Sequence, residues 1–170
     1  MPPRGPSGVC DACGVLAAAA AAAALAGKPD PGRFLSVDAR RRAVSLTLVA
    51  GYDSENRGFN FDGYGRGELL VTVPVGWRVH VACENRGGMR HSCAVVPGPM
   101  TATPAFRGAS VPDPVQGLDP GSKAAFSFVA ARAGSYRLAS IVPGDEEARL
   151  WDVLEVARAG RPSISARPGP

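Results

Sequence analysis

The stretch VTVPVGWRVHVACEN, residues 71–85, decides how this chain folds. In its second half Trp77, Val79, Val81 and Cys83 fall on one face, with Arg78 and His80 on the other. That period of two belongs to a strand with one face buried. Pro74 and Gly76 interrupt the apolar run ahead of it and mark a turn. Working outward, the same kind of segment recurs at 44–50, 68–73, 92–96, 124–129, 135–142 and 150–156. Turn signals separate these segments at Arg57-Gly58, Asp62-Gly63, Gly87-Gly88, Pro120-Gly121 and Pro143-Gly144. Seven or eight short strands so spaced predict an all-β, two-sheet antiparallel sandwich.

Composition agrees. The chain has 170 residues, 45% hydrophobic and 20% charged, enough for one domain with a real core and too apolar for a disordered chain. Gly 21 and Pro 16 exclude long helices from most of it. The net charge is +4, and 17 of the 19 basic residues are Arg, scattered apart from Arg40-Arg41-Arg42. Nucleic-acid binders cluster such charge on one element, so no nucleic-acid partner is expected and the arginines read as a solvated surface.

Residues 14–26, GVLAAAAAAAALA, form an uncharged run ending in a small-x-small site. At about 1.5 Å per residue it covers about 20 Å, less than a bilayer's ~30 Å core. The run predicts a signal peptide over 1–26 and an exported protein, extracellular, periplasmic or in the cell envelope, with an uncleaved N-terminal membrane anchor as the alternative. Cys10 and Cys13 lie in or before that segment, with no second pair at zinc-finger spacing, and are set aside. Cys83 and Cys93 remain, both on core-facing positions in an oxidising compartment. They form either a disulfide, worth ~2–3 kcal/mol, or two buried thiols.

The domain is expected over 27–157, with 158–170 as a flexible tail. The Pro- and Gly-rich connection 97–122 is long, and Phe106, Val111 and Leu118 are expected to pin it to one edge. His80 and the run Asp145-Glu146-Glu147 read as solvent-facing. Ser92 and Ser140 lack a base in any recognisable pattern, and no Gly-rich phosphate loop is present, so no enzymatic activity is expected.

The order of segments resembles sulfocyanin, a cupredoxin of respiratory chains. The pieces that carry the likeness are FLSVDARRRAVSLTLVAG (34–51), GFNFDG (58–63), VTVPVGWRVHVACEN (71–85), RHSCAVV (90–96), AFRGAS (105–110) with QGL (116–118), and AGSYRLASIVPGDEEARLWDVLEV (133–156). The resemblance implies an eight-stranded Greek-key sandwich, a mononuclear copper near one end and single-electron transfer. Blue copper needs two imidazoles, a cysteine thiolate and usually an axial thioether. In the family one His follows the Asn-containing turn; the other ligands lie in a pattern like Cys-x-x-Pro-Gly-His and then x-x-x-x-Met-Trp.

Carried over by that resemblance, His91 matches the first ligand position. Ser140-Ile141-Val142-Pro143-Gly144-Asp145 has Ser for the Cys and Asp for the His, and Leu150 before Trp151 replaces the Met. Three of four metal-ligand positions are thus substituted. The expectation is an exported cupredoxin-fold protein without the blue-copper site or a cofactor, acting as a binding or structural module, with a protein partner at the cell envelope. The alternative is a copper-binding electron-transfer or copper-handling protein using His91 with Met89, Cys93 or Asp145. Met89, His91 and Cys93 alternate and would offer thioether, imidazole and thiolate on one side.

Overall fold

A computed structural model of the chain describes residues 27–170. The predicted signal segment and the Cys10/Cys13 pair lie outside the described residues. Nine strands are formed: β1 (Leu35–Asp38), β2 (Ala43–Ala50), β3 (Leu69–Pro74), β4 (Arg78–Asn85), β5 (Ala94–Val96), β6 (Lys123–Val129), β7 (Gly134–Ala139), β8 (Trp151–Ala157) and β9 (Ser163–Ala166). They build a four-stranded sheet in the order β1-β2-β4-β6 and a five-stranded sheet in the order β5-β7-β8-β3-β9. The only helical pieces among the described residues are two 3-10 turns, Pro31–Phe34 and Glu55–Gly58.

The all-β sandwich is as the alternation predicts, but the sheets are mixed rather than antiparallel. β2 runs parallel to β4, from Ala43 opposite Arg78 to Ala50 opposite Asn85, and β3 runs parallel to β8. The reason is topological. β3 lies between β2 and β4 in sequence but in the other sheet, so the chain crosses the sandwich twice and returns in its original direction. Alternation fixes which face a side chain takes; it carries no information about which strand becomes the neighbour.

The core forms between the inner faces. Val44, Leu46 and Leu48 of β2, Val79, Val81 and Cys83 of β4 and Phe128 of β6 meet Val71, Val73, Tyr136, Leu138, Leu154 and Val156 of the other sheet. Each such side chain gains about 1.5–3 kcal/mol on burial. The connection 97–122 is pinned as expected: Phe106 stacks on Phe128 at 5.3 Å between centroids, and Val111 N donates to Cys93 O. Leu118 bridges to His91.

Two strands had no sequence signal. β1 is a four-residue edge strand before the Arg40-Arg41-Arg42 turn. β9 falls within the segment expected to be a flexible tail. It pairs antiparallel with β3, Leu69 opposite Ala166 through Thr72 opposite Ser163, and packs Ile164 on the core. Arg167 then ties back, its N donating to Glu68 O and its Nε to Gly67 O. With one large apolar residue in the strand, backbone hydrogen bonds supply most of its hold, and these leave no mark in hydropathy.

Candidate functional site

The end of the sandwich where β4 stops is organised around Asn85, which is fully buried. Its Nδ2 donates to Met89 O and to Leu118 O, both at 2.8 Å, and its Oδ1 accepts from Gly87 N. These bonds clamp the loop 86–90 against the end of the long connection and thereby place His91. Gly87 packs against the imidazole so closely that a Cβ there would lie 2.8 Å from His91 Cδ2 and Nε2. Phe59 meets the ring edge-on at 5.7 Å.

β7 ends at Ala139, earlier than the predicted 142, because Ser140-Ile141-Val142 leave the sheet to form the next wall. The turn at Pro143-Gly144 closes with Asp145 N donating to Val142 O. His91, 3% exposed, has Nδ1 2.8 Å from Asp145 Oδ2. The Ser140 hydroxyl donates to the same carboxylate oxygen, and Ser140 Oγ accepts from Ser92 N at 2.8 Å. Ser92 Oγ in turn accepts from Ile141 N. Leu150, fully buried, joins through its backbone: its N donates to Asp145 O and its O accepts from Ser140 N. The four positions singled out in the sequence therefore converge at one place, although 54 residues separate His91 from Asp145.

The chemistry of that cluster follows from its donors. A carboxylate at Nδ1 holds the imidazole proton on that nitrogen and leaves Nε2, packed against Gly87, as its lone-pair nitrogen. Ser140 donates to Asp145 rather than to an imidazole, and it is fully buried. Thiolate is absent. Cys83 and Cys93 form a disulfide with Cα atoms 6.0 Å apart, tying β4 to the segment below His91. The soft-donor set of Met89, His91 and Cys93 is not brought together: Cys93 sulfur is committed to the disulfide, and Met89 is 54% exposed on its loop. Among the described residues no group of three His, Cys, Asp or Glu is placed to hold a metal ion.

The acidic run departs from its solvent-facing reading. Asp145 and Glu146 are buried and only Glu147 is exposed. Glu146 accepts from Arg137 Nη1 and from Met100 N, both at 2.8 Å, while the Arg137 guanidinium lies 3.9 Å from the Trp151 ring centre. A run of three charges gives no sign that two of them turn inward; the five-residue spacing from Ser140 singles out Asp145 alone. His80 is exposed as expected, with Nδ1 2.7 Å from Ser127 Oγ.

Two further acids at this end carried no sequence signal at all. Asp62 Oδ1 accepts from Val49 N and Asp152 Oδ1 from Leu69 N, while both Oδ2 atoms are buried without a partner among the described residues. Burial pushes the Asp62 carboxyl up to about 8 and the Asp152 carboxyl well above the ordinary carboxylate range.

The fold as a whole is similar to that of known proteins. Among similar solved structures is the blue copper oxidase from Nitrosomonas europaea, with TM-score 0.52 and 21% identity over 66% of this chain and 38% of that one. The chain has the cupredoxin fold. A multicopper oxidase from Campylobacter jejuni aligns with TM-score 0.51 and 12% identity over 72% of this chain and 28% of that one. Reduced auracyanin from Roseiflexus castenholzii aligns over 66% of this chain and 96% of that one, at 21% identity and TM-score 0.49. Residues 31–112 match the Sulfocyanin (SoxE) domain, a span that takes in His91 and ends before Ser140. No curated protein matches the chain. No helix among the described residues is long and apolar enough to cross a membrane.

Proposed function

We propose that this chain is an exported, sulfocyanin-like cupredoxin-fold protein without a blue-copper site, serving as a binding or structural module for a protein partner at the cell envelope and not as an enzyme. The observation that carries the reading is Asp145 Oδ2, which takes up His91 Nδ1 and the Ser140 hydroxyl together. In the family these positions would be donors to copper; here they satisfy one another. The residues present do not fit blue copper: one imidazole, a hydroxyl, a carboxylate and the aliphatic Leu150 supply neither thiolate nor thioether. The hydrogen-bonded cluster holds the loops 86–91 and 140–150 together, the mechanical role a metal would otherwise fill.

The test is copper loading of the purified protein, followed by metal analysis and absorption spectroscopy. The expected result is no bound copper and no blue colour, and an intense blue band overturns the reading. The variant S140C/D145H/L150M is expected to turn blue with copper through His91; if it folds and stays colourless, the assignment of these positions is overturned.

A second reading, copper handling or electron transfer through His91 with Asp145 as substitute ligand, is favoured by the 2.8 Å approach of the two side chains. It requires one copper per chain, lost in His91→Ala. Redox cycling of that copper would then separate electron transfer from storage.

A further inference from the structure

The opposite end of the sandwich gathers charge that the sequence scatters. Arg78 opens β4 opposite Ala43 and Val129, and its N donates to Arg42 O. This places the turn residues Arg40, Arg41 and Arg42 beside it. Arg107 from the long connection and Arg132 from the β6–β7 turn join Arg78 around a recess of about 380 Å³. The turn after β8 adds Arg158 and Arg161, since Ala157 O accepts from Val75 N at this same end. All eight arginines are exposed.

Their counter-charges are few. Among the described residues the only acid in ion-pair range of any of them is Asp38, 3.3 Å from Arg41. Among the described residues Arg78 and Arg107 have no ion pair or side-chain hydrogen bond. Arg132 is oriented by its bond to Ala105 O and lies 5.5 Å from the Phe106 ring centre. Five basic groups elsewhere are matched, Lys28 with Glu55 and Glu68, Arg86 and Lys123 with Glu84, Arg90 with Asp119 and Arg137 with Glu146, whereas Arg33, Arg57, Arg66, Arg149 and Arg167 have no ion pair among the described residues.

We propose that this arginine end, centred on the recess between Arg78, Arg107 and Arg132, is a docking surface for an acidic segment of a partner protein. Guanidinium forks bind carboxylates in two-point fashion, and an unneutralised field of one sign steers an opposite partner. The shape selects among polyanions. The recess is concave, floored by Phe106 and Phe128, and admits protruding Asp or Glu side chains. A bilayer is flat and needs protruding apolar anchors, but the large apolar side chains exposed here are only Val37 and Val129. Duplex DNA takes a basic ridge into its grooves, which a recess does not provide. The inference stands apart from the metal question, because none of these arginines contacts the His91 cluster.

Binding of labelled poly-L-glutamate to the full chain, followed by anisotropy at low and high salt, tests it. We expect salt-sensitive binding that R78E/R107E weakens at least ~10-fold. The exposed set R33Q/R57Q/R149Q, from the other end, should leave it unchanged. R78Q/R107Q, which removes the same guanidinium groups without reversing their charge, guards against misfolding and should also weaken binding. Undiminished binding by folded R78E/R107E, or equal loss in the control set, overturns the proposal. Tighter binding to phosphatidylglycerol vesicles or to duplex DNA than to poly-L-glutamate overturns it in favour of a membrane or a nucleic acid.

Discussion

The two ends of this sandwich handle polar groups in opposite ways. At the His91 end the polar side chains are drawn inside, and most are satisfied by one another: His91, Ser140, Ser92 and Asp145 interlock, and Glu146 holds Arg137, while Asp62 and Asp152 each keep one buried oxygen without a partner among the described residues. At the arginine end eight guanidinium groups stay in water, with a single acid among the described residues in ion-pair range. Buried, partnered groups are costly to disturb, whereas exposed charges matter little to stability and much to encounter. The first end is therefore expected to govern whether the protein folds, and the second what approaches it.

That contrast can be broken most forcefully at Asp145. Asp145→Ala strands both the Ser140 hydroxyl and His91 Nδ1 in a buried setting, and should cost about 3 kcal/mol or more in urea unfolding. A loss under 1 kcal/mol would mean that the cluster is not what joins the loops. Opening the Cys83–Cys93 disulfide beneath it, by reduction or by the double Cys→Ala variant, should cost about 2–4 kcal/mol, read as a lower thermal midpoint.

Asp62 and Asp152 sharpen the comparison through pH. The folded-state pKa of Asp62 is raised from 3.8 to about 8, so between those values the folded chain holds a proton that the unfolded chain releases. Stability should fall as pH rises from about 4 to about 8, with Asp152 adding in the same direction. Unfolding series in that window, wild type against Asp62→Asn, check this: the variant should show the shallower slope. Gly87→Ala pushes a methyl group into the imidazole face and should cost about 1–2 kcal/mol. The smallest effect is expected at the other end, where R78Q/R107Q should change stability by less than about 0.5 kcal/mol.

What the sequence could reveal divides along the same line. β4 was legible because Val79, Val81 and Cys83 alternate with exposed Arg78, His80 and Ala82, which burial enforces one residue at a time. The convergence of His91, Ser140, Asp145 and Leu150 was legible because turn residues at 143–144 and the Asn85 turn frame them. Parallel pairing, β9 and the inward turn of Glu146 were not, since each depends on a partner distant in sequence. The arginine end is the clearest case. Its members come from the β1–β2 turn, the start of β4, the long connection and two further turns, and only the return of successive strands to one end assembles them.

β9 bears on how the protein can be handled. As the last strand of its sheet it occupies the edge of β3, and Arg167 secures its far end. Cutting the chain after Ala157 would leave the β3 edge from Leu69 to Thr72 with open amides and carbonyls. Such an edge recruits strands from neighbouring molecules. A shortened chain should therefore self-associate even with its core intact, and fusions are better joined beyond Pro170 than in place of the final strand.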